Sequence, residues 1–357
     1  MTLIIAEAGV NHNGDEKLAI KLVDAAYRSG ADIVKFQTFK AKKLVTINAK
    51  QATYQTVNTG KQESQMDMLG RLELSYESHH RLVAHCSKLG IEFLSTAFDS
   101  ESLEFLVNDL KLTRLKIASG ELTNAPLVLQ HARTGCDLIV STGMATLSEV
   151  EAALGVIAFG YTVSVDVMPS IEAFADAYAS DAGQGALKNK VTLLHCTTEY
   201  PAPMNEINLH AMNTLASAFR LAAGYSDHSA GINIPVAAVA CGAVMIEKHF
   251  TLDKTMEGPD HKASLDPAEL KAMVSAIRQV ESAMGDGVKR PTHSEVKNKL
   301  VARKSLVAAY DIDKGEIFTQ DNVLIKRPGT GKSPYLYWEV LGTTASRHLM
   351  AGEVLDE

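Results

Sequence analysis

Cysteine is scarce in this chain and tryptophan scarcer, at four and one in 357 residues. Cys86, Cys136, Cys196 and Cys241 stand far apart with no C-x-x-C pair, which excludes a zinc ribbon or a disulfide framework as the organising device. No run of about 18 apolar residues occurs, so no membrane span is expected. The N-terminal Met1-Thr2-Leu3-Ile4-Ile5-Ala6-Glu7 lacks a basic region, and its apolar run is too short for a secretory signal. A reducing cytoplasm is the expected location. Positive charge is also short: 35 Lys and Arg against 42 Asp and Glu leave a net charge of −7. Such a surface gives no footing for nucleic acid or an anionic membrane. No glycine-rich phosphate loop follows the first β-like run, which counts against a doubly wound open sheet.

What is present is apolar residues, at 46%, in a chain long enough for one large domain and one small one. Short β-branched runs at 3–6, 32–37, 91–95, 114–118, 138–141, 191–196, 222–225 and 244–248 alternate with helical patterns. Leu18, Leu22, Val23 and Ala26 share one face of a helix that Gly30 stops, and Thr146 is a candidate cap for another. A final amphipathic helix is predicted over 266–284, with Pro267 in its first turn. Eight βα units in about 280 residues predict an α/β fold, a TIM (β/α)8 barrel over 1–285. The polar, weakly periodic stretch 40–70 is expected as an active-site loop. The span 160–190 exceeds a normal connection and predicts an extra surface helix over 170–186. Residues 286–299 are expected as a polar linker, and 300–357 as a small β-rich domain near the lower limit for independent stability, leaning on a partner surface.

In such a barrel, function gathers at the carboxyl ends of the strands. His228 and His249 close the seventh and eighth β-like runs, and two neutral imidazoles converging there suit a divalent transition metal. The bland alternative is two unrelated polar residues at strand ends. Lys35 and Lys116 with Ser119, Ser141, Ser226 and Thr198 make a pocket for phosphate or carboxylate, since buried lysines are costly without an anionic partner. Glu7 is either a general base or a countercharge to the lysines. Cys196 is a core residue in this reading, because no adjacent base is evident.

The segments IIAEAGVNHNGD, ADIVKFQTF, KIASGELTNAPL, STGM, LLHCTTEYPAP, GYSDHSAG, IEKHFTLDK and GPDHKASLDP, followed by RKSLVAAYDIDKGEIF and KRPGTG, resemble the sialic acid synthase family. The likeness runs in order along essentially the whole chain, and its last part is similar to the antifreeze-like (SAF, β-clip) domain of that family. The resemblance implies condensation of phosphoenolpyruvate with the open aldehyde form of an N-acetylated mannose-type sugar, with phosphate released by C–O cleavage. By the same likeness, His228 and His249 would hold a divalent ion, manganese first, with magnesium or cobalt as alternatives. Lys35, Lys116, Ser119 and Ser141 would grip phosphoenolpyruvate, with Ser226 nearby. Thr198 stands where members often carry Asn, at an expected phosphoenolpyruvate contact. Glu7 would handle protons or orient water. Gln37, Glu121, Tyr200 and Asp260 would contact the sugar or metal-bound water, and Arg327 would reach the N-acetyl group from a neighbouring subunit in a domain-swapped homodimer. The first expectation is N-acetylneuraminate synthesis from N-acetylmannosamine. The alternative is N,N′-diacetyllegionaminate synthesis from 2,4-diacetamido-2,4,6-trideoxymannose, with pseudaminate synthesis more distant. Glu7, Lys35, His228, His249 and Arg327 together argue against a non-catalytic binding protein, and a plain aldolase would leave the C-terminal domain unexplained.

Overall fold

Eight parallel strands close on themselves in the computed structural model: β1 (Leu3–Gly9), β2 (Ile33–Thr38), β3 (Glu92–Ala97), β4 (Arg114–Ile117), β5 (Asp137–Ser141), β6 (Val191–Cys196), β7 (Ala222–Asp227) and β8 (Met245–His249). Each pairs with the next in sequence, and β8 returns to β1 in a register from Leu3 opposite Met245 to Glu7 opposite His249. The structure describes residues 1–356 apart from 53–54, 57–58 and 61–62. It divides into two compact units, Met1–Gly285 and Asp286–Glu357.

Barrel strands are buried on both faces, so side-chain alternation decides which residues reach the centre. Ile5, Ile33, Leu94, Ile139, Leu194 and Met245 form an apolar plug of their own. Their neighbours Ile4, Val34, Phe93, Val140, Leu193 and Ile246 belong instead to the large cluster between strands and helices. Two residues beyond each plug residue stand Glu7, Lys35, Thr96, Ser141, Cys196 and Glu247, and pairing aligns Lys116 with Thr96 and Ser226 with both Cys196 and Glu247. Six apolar side chains thus form a floor, and the next layer is polar.

The helices begin and end where local chemistry satisfies their free backbone groups. Asp15 accepts from the amides of Lys17 and Leu18 to start Glu16–Ser29, and Gly30 ends it at φ 82°. Thr146 and Glu149 form a capping box on Leu147–Thr162, and Asp266 with Glu269 forms one on Pro267–Met284. The stretch 40–70 differs from a plain loop, since helices Ala41–Leu44 and Gln65–Leu72 bracket it and part of it lies outside the described residues. The insertion carries two helices, Ile171–Ala179 and Asp181–Lys190, instead of one. Ser180 divides them, donating to the Ala177 carbonyl (2.8 Å) and accepting from the Gly183 amide (3.0 Å).

In the second unit, β9 (Ser305–Ala308) pairs antiparallel with β10 (Val323–Lys326) over a core that includes Leu306, Ile312, Phe318, Val340 and Leu349. The expected linker is not wholly irregular. Helix His293–Ala302 occupies part of it, started by a capping box of Thr292 and Glu295 and bearing no buried residue. Its polar composition hid the helix, because a helix with no apolar stripe gives no periodic signal. Among the described residues, no helix is long and apolar enough to cross a membrane.

Candidate active site

The polar layer above the barrel floor is a line of alternating charges. Lys35 Nζ lies 2.9 Å from Glu7 Oε2 and 3.4 Å from Glu247 Oε2, and Lys116 Nζ lies 3.3 Å from Glu247 Oε1. Ser226 donates to Glu247 Oε1 (2.8 Å), Lys35 to Thr96 Oγ1 (3.3 Å), and Gln37 Nε2 to Glu7 Oε1 (3.4 Å). All four charged residues are at most 3% exposed, so each charge depends on its neighbours for solvation. The two carboxylates are driven apart. Burial, with help from Glu247 and against Lys35, pushes Glu7 up to about 7. Burial would raise Glu247 too, but Lys116 and Lys35 outweigh it and hold that carboxylate well below the usual range. Glu247 is therefore the permanent anion of the layer, and Glu7 is the group poised to exchange a proton near neutral pH.

One step further along the strands lie the histidines. The rings of His228 and His249 are 5.5 Å apart between centroids, and the Tyr200 ring lies 4.1 Å from His228 and 5.5 Å from His249. His228 Nδ1 is 2.6 Å from the Thr197 carbonyl oxygen, which assigns its proton to Nδ1 and leaves Nε2 with a lone pair. His249 Nδ1 is buried with no hydrogen-bond partner among the described residues. Burial lowers His228 to about 4 and His249 well below its ordinary value, so both rings are neutral at physiological pH. Two neutral imidazoles, one of them fixed in tautomer by a backbone carbonyl, fit a divalent first-row ion. Among the described residues no third His, Cys, Asp or Glu completes a cluster, so such an ion would draw its remaining ligands from water or substrate oxygens.

Gly9 lies among these groups at φ 54°; a Cβ there would stand 3.4 Å from Glu7 Oε1 and 3.5 Å from both Gln37 Nε2 and His249 Cε1. A second cluster forms at the ends of β4 to β6. The Gly143 amide donates to Ser119 Oγ (3.0 Å), and Ser119 Oγ lies 3.1 Å from Cys196 Sγ. Among the described residues Ser141 Oγ and Thr198 Oγ1 are buried without a hydrogen-bond partner, so these hydroxyls and His249 Nδ1 call for a polar ligand. Asp260 is buried, which raises its carboxyl to about 6. Its carbonyl accepts from Ser264 Oγ (2.7 Å), which in turn accepts from Asn11 Nδ2 (2.9 Å), so the loop after β8 is tied to the loop after β1.

Of the residues expected at the site, Glu7, Lys35, Gln37, Lys116 and Ser226 meet in one network, and Tyr200, His228 and His249 meet in one ring cluster. Glu121 instead accepts from Asn124 Nδ2 on its own loop (2.8 Å). Arg327 lies in the second unit, exposed, with Nε donating to the Ala302 carbonyl (3.0 Å). Sequence reasoning missed Glu247 and Thr96. The signal for Glu247 was parity, because a residue two before an inward His249 on the same strand also points inward.

The chain has relatives among known proteins. The chain is 51% identical over 356 residues to the N,N′-diacetyllegionaminic acid synthase of Campylobacter jejuni subsp. jejuni serotype O:2, covering 100% of this chain and 99% of that protein. It is 44% identical to the N,N′-diacetyllegionaminic acid synthase of Legionella pneumophila, over 99% of this chain and 92% of that one. Among solved structures, the N-acetylneuraminic acid (sialic acid) synthetase of Leptospira borgpetersenii, in complex with citrate, matches at a TM-score of 0.65 and 31% identity, covering 83% of this chain and 90% of that one. A SAF domain model matches residues 303–357 and the NeuB family model matches residues 22–289: the chain belongs to the NeuB family.

Proposed function

We propose that the chain is a transferase that condenses phosphoenolpyruvate with 2,4-diacetamido-2,4,6-trideoxymannose and water to give N,N′-diacetyllegionaminate and phosphate. The observation that carries the chemistry is the sealed Glu7–Lys35–Glu247–Lys116 layer beside the unpartnered hydroxyls of Ser141 and Thr198. Such a layer suits a small, multiply charged anion. The choice of sugar rests on the relatives: both legionaminic acid synthases align at higher identity than the sialic acid synthetase. This moves the sugar acid from N-acetylneuraminate, expected first, to the alternative.

In this reading Lys35, Lys116, Ser119, Ser141, Thr198 and Ser226 hold the phosphate and carboxylate of phosphoenolpyruvate. Gln37, Glu121, Tyr200 and Asp260 hold the sugar, and Arg327 reaches its acetamido group from the neighbouring subunit of a domain-swapped homodimer. His228 and His249 hold a divalent ion, manganese first and magnesium or cobalt as alternatives, which when bound polarises the sugar aldehyde. The enol carbon attacks the aldehyde carbon with the electrons of its C=C bond, forming the new C–C bond, and the aldehyde oxygen takes a proton from the protonated form of Glu7 to become a hydroxyl. Water then adds to the electron-poor C2 so formed, and the bond from C2 to the phosphate oxygen breaks as the added oxygen becomes the ketone oxygen and its remaining proton leaves with phosphate. Glu7, half ionised near neutral pH, positions that water and takes its proton. Its partners Lys35 and Gln37 keep the carboxylate aimed. The test is phosphate release with product mass. Release should require the diacetamido sugar, stop on chelation and return with manganese; release without any sugar, or a product lacking the added pyruvyl carbons, would refute the reading.

A further inference from the structure

Glu247 takes no part in the bond changes proposed above, yet it is the hub of the charged layer. Its Oε1 serves Lys116 (3.3 Å) and accepts from Ser226, and its Oε2 lies 3.4 Å from Lys35, whereas among the described residues Glu7 ion-pairs Lys35 alone. It sits on β8 and is 3% exposed. Two buried ammonium groups lose their charge or swing aside unless an anion holds them. The same carboxylate repels any second anion that comes to those ammoniums, at a separation and dielectric where like-charge repulsion is strong.

We propose that Glu247 is a positioning residue that stands in for the anionic groups of the substrate. It keeps Lys35 and Lys116 charged and aimed before phosphoenolpyruvate enters, and its repulsion keeps the layer from trapping the phosphate product. The inference rests on the phosphoenolpyruvate reading of the site. It gives an unusual signature. A residue that only fills space would, when replaced, loosen the site and weaken anion binding. Glu247→Gln keeps the shape and an oxygen able to accept from Ser226, but it removes the charge, so the two lysines become a stronger anion trap.

The experiment is a thermal-shift titration with inorganic phosphate at constant ionic strength, on the full chain and its Glu247→Gln, Lys116→Met and Lys116→Met/Glu247→Gln variants. Glu247→Gln should melt lower than wild type without phosphate and bind phosphate about tenfold tighter or more. In turnover it should lower the KM for phosphoenolpyruvate together with kcat, and phosphate should inhibit it more strongly. Equal or weaker phosphate binding, or a raised KM with kcat unchanged, overturns the proposal. Should Glu247→Gln fail to fold, the comparison passes to the Lys116→Met background, where adding Glu247→Gln must still tighten phosphate binding; equal or weaker binding there overturns it as well. The phosphate titration needs neither sugar nor turnover, so it fails separately from the synthase reading, whose failure shows as wild-type protein that makes no product.

Discussion

His228 and His249 keep an unprotonated ring nitrogen at neutral pH because burial disfavours their charged forms, and His228 is fixed further by its bond to the Thr197 carbonyl. Replacing either with Ala should lower manganese-restored turnover by about 100-fold or more, the scale of losing a main electrostatic stabiliser. Full turnover by the double Ala variant after chelation would exclude the metal role. Both histidines were legible because each closes a β-like run in an eight-strand pattern. Glu247 was not, since in the sequence it is one of three consecutive polar residues, Glu247-Lys248-His249, of opposite facing. Lys248 points the other way and is paired with Asp227 and the Ser229 carbonyl. Only the parity fixed by the closed sheet separates the pair that reaches the centre from the lysine that does not.

At the scale of elements, the loop that opens after β5 is set by what Gly143 allows. A Cβ there would stand 2.4 Å from Thr198 Oγ1, 2.8 Å from Ser119 Oγ and 2.9 Å from Cys196 Sγ. Overpacking of this kind costs about 1–3 kcal/mol. Gly143→Ala should raise the KM for phosphoenolpyruvate at least about tenfold and that of the sugar far less; an unchanged KM would detach this cluster from the phosphoenolpyruvate site. The helix Ala125–Arg133 carries a separate acid-sensitive group. His131 is buried, its Nδ1 lies 2.8 Å from the Leu127 carbonyl, and burial lowers it from 6.5 to about 4. A folded-state value below the unfolded one means stability that is fully present above pH 6.5 and is lost as pH falls toward 4. His131→Gln should therefore flatten the melting temperature against pH across that window, recovering up to roughly 3 kcal/mol of the acid loss. An unchanged slope would place the acid sensitivity elsewhere. The capping candidate Thr146 and the first-turn Pro267 made two helix starts legible, whereas His293–Ala302 escaped because it buries nothing.

For the whole molecule, the two units raise the question of which chain supplies Arg327. The helix His293–Ala302 shortens the non-helical joint expected between them to 286–292. If the domain-swapped reading holds, Arg327→Ala and Glu7→Ala chains, each inactive alone, should recover up to about a quarter of wild-type activity when mixed, since half the dimers then carry one intact site of two. No recovery among demonstrated mixed dimers would place Arg327 in the site of its own chain or outside any site. The barrel was legible in the repeat of eight βα units, and the second domain in the β-rich character of residues 300–357. The sugar was not, because no periodicity marks the side chains at loop ends that would tell the two candidates apart. The central claim is thus tested most directly by competition. Both sugars are supplied together at equal concentration with phosphoenolpyruvate and manganese, and the two products are resolved by mass. A site shaped for the diacetamido sugar gains about 1–3 kcal/mol from groups the competitor lacks, so N,N′-diacetyllegionaminate should exceed N-acetylneuraminate by about tenfold or more. An excess of N-acetylneuraminate would contradict the account.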